Sequence, residues 1–215
     1  KTSFHASLIA APGGFAHQGA NCIVLCNEEG YHRVGARYLT AATGMTMREI
    51  KDNPAKAREL YAPVKERIKI KDATGRDMNW VESICKSYKP DIVLLDMGDK
   101  FAKTGGFART DEALKANAVH ARMIAKQHEC AVFYMSQLSA DAEGKVLLNQ
   151  SMMEGSRTGK AAEADLMVLI AKNPVVDGQE EEDTQRHLNV VKNKLTGWHG
   201  VVHCELEYQT ARYTV

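Results

Sequence analysis

Continuous apolar runs alternate with amphipathic stretches along the first two thirds of the chain. Runs at 22–26, 91–96 and 131–137 lack polar interruptions and are typical of strands buried on both faces. Helical periodicity separates them. Strands separated by helices predict a parallel sheet with helices on both of its faces. The predicted helices cover about 3–11, 31–43 and the sequence onward to 66 with breaks near Pro54 and Pro63, then 78–88 and 111–128.

The pattern changes in the last third of the chain. A polar stretch over 139–157 predicts a long loop, and a short helix near 158–164 follows it. Four predicted strands then come without intervening helices, which indicates antiparallel edge strands; they cover 165–171, 187–193, 201–208 and 211–215. An acidic run within 177–186 predicts a solvated hairpin tip. We therefore expect one α/β domain over residues 1–215. Its central sheet should be mostly parallel and flanked by helices, and the C-terminal segments of the chain should add antiparallel edge strands.

The amino-acid composition limits the functions that this protein could have. The 28 basic residues nearly balance 27 acidic ones, so any attraction to nucleic acid must come from local charge. No apolar run reaches the length of a membrane span and the start does not have the pattern of a signal peptide, so we expect a cytoplasmic protein without membrane contact. Five scattered cysteines favour buried, reduced thiols over zinc ligands or disulfides.

Polar residues follow three of the apolar runs directly. Glu28 comes after the first run, Asp96 ends the second and Gln137 ends the third. Ligands bind off the carboxyl ends of parallel strands, so we expect these side chains at one edge of the sheet. Each has a structural alternative: Asp96 as a turn or helix cap, Glu28 or Glu29 as a cap of the next helix, and Gln137 as a solvated residue.

The opening Lys1-Thr2-Ser3 is typical of the end of a phosphate-binding loop, G-x-x-x-x-G-K-[ST]. The first strand and the glycines of such a loop precede this point and are not in the sequence. In a complete loop the lysine binds phosphates and the hydroxyl binds Mg²⁺. Together with two carboxylates and an amide, these groups form the set that nucleotide hydrolysis requires.

Five segments extend the pattern along nearly the whole chain: CIVLCNEEGYHRVGAR at 22–37, DIVLLD at 91–96, AVFYMSQL at 131–138, GSRTGKAAEAD at 155–165 and VVKNKLTGWHG at 190–200. In this order they resemble the RecA-type motor domain of ring-shaped replicative DNA helicases, the DnaB-like and phage primase-helicase family. The resemblance implies a RecA-like P-loop ATPase fold that uses ATP and Mg²⁺.

Site residues follow from that resemblance. It implies that Glu28 activates the attacking water and that Gln137 senses the γ-phosphate. It also implies two trans-acting lysines, Lys192 and Lys194, that reach a neighbouring subunit. The residues that it implies for nucleotide binding are Lys1, Thr2, Arg37 and Asp96, of which Thr2 and Asp96 would also bind the metal.

The trans-acting position departs from the helicase pattern, in which it is usually arginine. The string VVKNK is also similar to the RecA recombinase segment, so a filament-forming recombinase or DNA-repair ATPase stays open. A non-catalytic structural or loader protein with the same fold stays open as well.

The resemblance also implies partners. These are single-stranded DNA, identical subunits in a ring hexamer, and a primase domain or protein. Two loops, at about 98–110 and 139–157, would face the DNA and hold phosphates without reading sequence. Their candidate cations are Lys100, Lys103, Arg109, Lys145 and Arg157.

Overall fold

A parallel four-stranded sheet forms the centre of the protein. The computed structural model describes residues 1–103, 110–154, 157–174 and 183–215, without the side chains of residues 157 and 158. The strands are ordered β2-β1-β3-β4 and all neighbours run parallel. They are β1 (Cys22–Cys26), β2 (Ile68–Asp72), β3 (Ile92–Asp96) and β4 (Ala131–Tyr134).

Helices cover both faces of this sheet, because successive side chains of a strand point to opposite faces. Val24 of β1 packs in one apolar cluster with α1, α2 and α4, whereas Ile23 and Leu25 pack in another with α5 and α6. The helices are α1 (Thr2–Ala10), α2 (Tyr31–Thr43), α3 (Met47–Asp52), α4 (Pro54–Lys65), α5 (Met78–Tyr88), α6 (Thr110–Gln127) and α7 (Arg157–Glu163).

The remaining four strands pair with one another in a second, antiparallel sheet of order β5-β6-β7-β8. Its last strand contacts the helices of the first half. The Tyr213 backbone N–H donates to Ser7 Oγ at 2.9 Å, and Arg212 donates to the carbonyl oxygens of Ala41 and Ala42 at the end of α2. The strands are β5 (Leu166–Lys172), β6 (Gln185–Asn193), β7 (Gly200–Glu207) and β8 (Arg212–Thr214).

The predicted fold class is confirmed, with parallel strands first and antiparallel strands last. The antiparallel strands were expected at the edge of the parallel sheet, but they form a sheet of their own. Strand β2 was not predicted, because its sequence IKIKD has only two apolar residues and its position at the edge of the sheet leaves one side unpaired. Helix α4 continues through Pro63 and ends two residues later. Strand β4 ends at Tyr134, three residues earlier than expected. It was also expected to be buried on both faces, but it is an edge strand whose residues are at most half-buried. The expected hairpin tip falls largely on 175–182, outside the described residues.

All five cysteines are buried and unpaired, as expected. Burial raises the pKa of the Cys22 and Cys26 thiols to about 12, so both stay protonated at neutral pH. In the described part of the chain, no helix combines the length and the apolar character needed to cross a membrane.

Candidate functional site

The register of the parallel sheet places the ends of β1 and β3 side by side. Cys26 pairs with Asp96, so the residues that follow β1 lie next to the end of β3. Lys1 immediately precedes α1 and reaches the same edge, where its Nζ lies 3.2 Å from Oε2 of Glu28. Thr2 is the first residue of α1 and is half-buried beside it. The structure thus brings Lys1, Glu28 and Asp96 to one edge, as the sequence predicts.

Glu28 lies between two ammonium groups. Its second oxygen accepts a hydrogen bond from Lys100 Nζ at 2.9 Å. The contacts with Lys100 and then Lys1 lower the pKa of Glu28 below its usual value of 4.5. The side chain is therefore ionised at neutral pH, and it retains partial access to solvent.

The neighbouring Glu29 has a different partner. Its carboxylate binds the guanidinium of Arg37 on α2. Arg37 therefore neutralises Glu29, while Glu28 faces Lys1 and the end of β3. This arrangement separates the two adjacent carboxylates that the sequence alone does not distinguish.

Asp96 is 1 % exposed, and among the described residues neither of its carboxylate oxygens has a hydrogen-bond partner. The buried Oδ1 of Asn27 also has none there. The nearest cationic candidate is His5, whose Nε2 lies 3.7 Å from Asp96 Oδ1, beyond hydrogen-bond distance. Burial lowers the pKa of His5, so the ring stays neutral and does not compensate the carboxylate.

A buried carboxylate without partners is costly, and a cation is the group that would compensate it. Oxygen donors are the ligands that Mg²⁺ prefers. The oxygens of Asp96 and Asn27 therefore fit a magnesium ion, and the hydroxyl of Thr2 is of the same donor type.

Gln137 lies three residues beyond β4 and is exposed. Its backbone carbonyl accepts a hydrogen bond from the N–H of Glu154 at 3.1 Å, and Leu138 forms an antiparallel bridge with Met153. Gln137 thus lies next to the two ends of the polar segment 139–154, which are paired with each other by these contacts.

The two candidate trans-acting lysines lie at the end of β6. Lys194 forms an ion pair with Asp165 at 3.3 Å, and Lys192 donates to the carbonyl oxygen of Ala161 on α7. Burial and the neighbouring Lys194 lower the pKa of Lys192. Arg122 also pairs with Asp165, at 3.1 Å. The contacts of Lys192 with Ala161 and of Lys194 with Asp165 place both lysines beside α7.

The candidate DNA-binding cations have different surroundings. Lys100 faces the edge formed by Lys1, Glu28 and Asp96 through its bond to Glu28, whereas Lys103 and Lys145 are exposed. Arg109 and the side chain of Arg157 lie outside the described residues. The role of all five in DNA binding stays a prediction.

Sequence reasoning missed a second polar cluster, formed by Asp99, Tyr134, Ser136 and the buried Lys160. Lys160 is 61 positions from Asp99, and nothing in its local sequence distinguishes it from a solvated lysine. The one available signal was Asp99, a second carboxylate just after the strand that ends in Asp96.

No family model and no curated protein matches the chain. Solved structures do. A structure described as an ATPase domain matches with a TM-score of 0.84 and 17 % identity, over 99 % of this chain and 79 % of that one. A DnaB-like replicative helicase, described with its interactions with primase, matches with a TM-score of 0.76 and 16 % identity. That match covers 92 % of this chain, which spans about half, 51 %, of the helicase chain.

At these identities the matches show the fold. The chain has the fold of replicative-helicase ATPase domains, with a parallel sheet, flanking helices and a second antiparallel sheet.

Proposed function

We propose that this chain is the motor domain of an ATP-dependent, DnaB-like replicative DNA helicase, which moves along single-stranded DNA and unwinds duplex. It would act in the cytoplasm, that of the host cell if it is encoded by a phage. The observation that carries the proposal is the edge where Lys1, Glu28 and Asp96 meet, with both buried oxygens of Asp96 lacking partners among the described residues. The fold shared with an ATPase domain and with a DnaB-like replicative helicase supports it.

Each residue of the edge has a role in this proposal. Lys1 would bind the β- and γ-phosphates, and Thr2 and Asp96 would hold Mg²⁺. The bound Mg²⁺ would neutralise negative charge on the phosphate oxygens. Ionised Glu28 would orient the attacking water and accept its proton. Arg37, which pairs with the adjacent Glu29, would also bind the nucleotide. Gln137 would report the γ-phosphate to the segment 139–154, which it anchors.

Oligomerisation belongs to the same proposal. Lys192 and Lys194 would contribute charge to the nucleotide of a neighbouring subunit in a ring, as point charges without the bidentate geometry of arginine. The exposed Lys103 and Lys145, together with Lys100, Arg109 and Arg157, would bind DNA phosphates. A primase domain or protein would be a further partner.

The decisive experiment compares the full-length protein with its Glu28→Gln variant in the presence of ATP and Mg²⁺. We expect turnover to fall at least about 100-fold, because the amide cannot accept the proton, while nucleotide affinity stays within about threefold. Glu29→Gln is the matched control, since that carboxylate faces Arg37, and it should retain most of the activity. Full turnover in the Glu28 variant would exclude its assignment as the base.

One observation is also consistent with a second function, that of a RecA-like recombinase. Lysine at both trans-acting positions is also the pattern of RecA-like recombinases. Electron microscopy of the full-length protein with ATP and single-stranded DNA separates the two functions. Closed rings support the helicase, and helical filaments support the recombinase.

A third possibility is a structural or loader protein with the same fold. If calorimetry detects no ATP binding to the full-length protein, that result supports this third function.

A further inference from the structure

The polar cluster around Lys160 lies outside the nucleotide edge, by which we mean Lys1, Thr2, Glu28 and Asp96. It is built around a largely buried ion pair. The Lys160 side chain is 4 % exposed and that of Asp99 is 14 % exposed. Lys160 Nζ donates to both oxygens of Asp99, at 3.2 and 3.0 Å, and to Ser136 Oγ at 2.8 Å. Three acceptors satisfy the three donors of the ammonium group.

Asp99 is equally well satisfied. In addition to Lys160 it accepts hydrogen bonds from the hydroxyls of Tyr134, at 3.1 Å, and Ser136. Burial and the nearby Asp99 carboxylate raise the pKa of Tyr134 well above its usual range, so the phenol stays a donor. The Tyr134 ring also packs on Gly98, where an added Cβ would lie only 2.5 Å from the ring. The cluster therefore requires a glycine directly before Asp99.

Four residues join three segments that are distant in sequence. Asp99 lies on the short 3₁₀ helix Gly98–Lys100, just after the strand that ends in Asp96. Ser136 follows β4 and directly precedes Gln137. Lys160 lies on α7, which follows the polar segment that Gln137 anchors. The cluster thus connects the nucleotide edge with the roots of both candidate DNA-binding loops.

Separating a buried ion pair is costly, because each charge would be left without its partner. The ion pair therefore opposes separation of the three segments. We propose that Lys160 is a positioning residue, which through Asp99 and Ser136 transmits changes at the nucleotide edge to the two DNA-binding loops. This inference rests on the proposed function, and it adds a coupling element that acts without contact to nucleotide or metal.

The test compares ATP hydrolysis by the full-length protein with and without a single-stranded oligonucleotide. The main variant combines Asp99→Asn with Lys160→Met, which removes the ion pair without leaving a buried charge. We expect its basal rate to stay within about twofold, and its stimulation by DNA to fall at least about fivefold, the lower end of typical coupling between sites. Lys160→Arg keeps the charge and should retain most of the stimulation.

The matched control makes similar replacements at an exposed pair, Arg48→Met with Asp52→Asn, and should be stimulated like the wild type. A second readout is amide hydrogen exchange. The N–H groups of Gly98 and Ser139 donate to the backbone at the roots of the two loops, and both should exchange faster in the main variant.

The outcomes separate the two proposals. Suppose that DNA stimulates ATP hydrolysis by the wild type and that the main variant shows the same stimulation and the same amide exchange. That result would overturn the coupling role of Lys160 and leave the helicase assignment intact. A wild type that does not hydrolyse ATP would overturn the proposed function and this inference with it.

Discussion

Asp96 and Asp99 are three residues apart, yet their surroundings are opposite. Asp96 is buried at the end of β3, and among the described residues none donates a hydrogen bond to its carboxylate. Asp99 is bound by the Lys160 ammonium and by two hydroxyls. A carboxylate that the protein leaves unsatisfied is suited to a ligand from outside, whereas a satisfied one ties segments of the protein together. Burial alone does not distinguish the two roles; the partners do.

The largest expected effect comes from breaking the Asp99 pair. Lys160→Met should lower the free energy of unfolding by about 3–5 kcal/mol, because it leaves the Asp99 charge buried without its cation. Urea unfolding of the purified variant measures this. Adding Asp99→Asn should recover most of the loss, since no buried charge remains. A loss below about 1 kcal/mol in the single variant would show that the pair contributes little to stability.

Asp96→Asn should have the opposite effect, with a large loss of ATP turnover and no loss of stability. We expect ATP turnover to fall at least about 100-fold, because the proposed Mg²⁺ site would lose a charged ligand. Stability without nucleotide should be unchanged or higher by about 1–2 kcal/mol, because the variant no longer buries a carboxylate that lacks hydrogen-bond donors. Turnover assays and urea unfolding give the two values.

The control for Asp96 is Asp91→Asn, just before the same strand, where the carboxylate accepts a hydrogen bond from the Asn21 backbone. That variant should keep its turnover. If Asp96→Asn is destabilised as strongly as Lys160→Met, the contrast between the two aspartates does not hold.

Removal of one hydroxyl tests how evenly the Asp99 cluster is satisfied. Tyr134→Phe should cost about 1 kcal/mol, because Asp99 keeps Lys160 and Ser136 as donors. Thermal unfolding measures the change, with the exposed Tyr31→Phe as a neutral control. A cost close to that of Lys160→Met would mean that the tyrosine hydroxyl, and not the ammonium, is the essential partner.

The smallest effect concerns the exposed pairs of Glu28. Its pKa is lowered in the folded protein, so the stabilisation is fully present above about 4.5 and is lost as the pH falls through the folded value. At pH 7, Glu28→Gln should change the free energy of unfolding by less than about 1 kcal/mol, as is usual for exposed ion pairs. Unfolding curves of both proteins between about pH 7 and pH 3 should converge at the acidic end. A difference that grows towards low pH would contradict the assigned shift.

Much of the fold was predictable because its signals are local. The uninterrupted apolar runs around Val24, Leu94 and Val132 identify strands, of which the first two are fully buried and the third lies at the edge of the sheet. Their order with the helices predicts a parallel sheet. Glu28, which follows β1, and Asp96, which ends β3, could be placed at one edge because the carboxyl ends of parallel strands lie together. Strand β2 was missed because an edge strand needs few apolar side chains.

The sequence by itself therefore determined most of the succession of strands and helices and the edge that they share, because these depend on periodicity and on the direction of the chain. It also indicated the residues that we propose bind phosphate and metal at that edge. Only the tertiary structure decided which carboxylates are satisfied. It paired Glu29 with Arg37 and left Glu28 facing Lys1, and it buried Lys160 against Asp99. The physical reason is that the cost of a buried charge depends on partners brought close in space, and separation along the chain does not encode them.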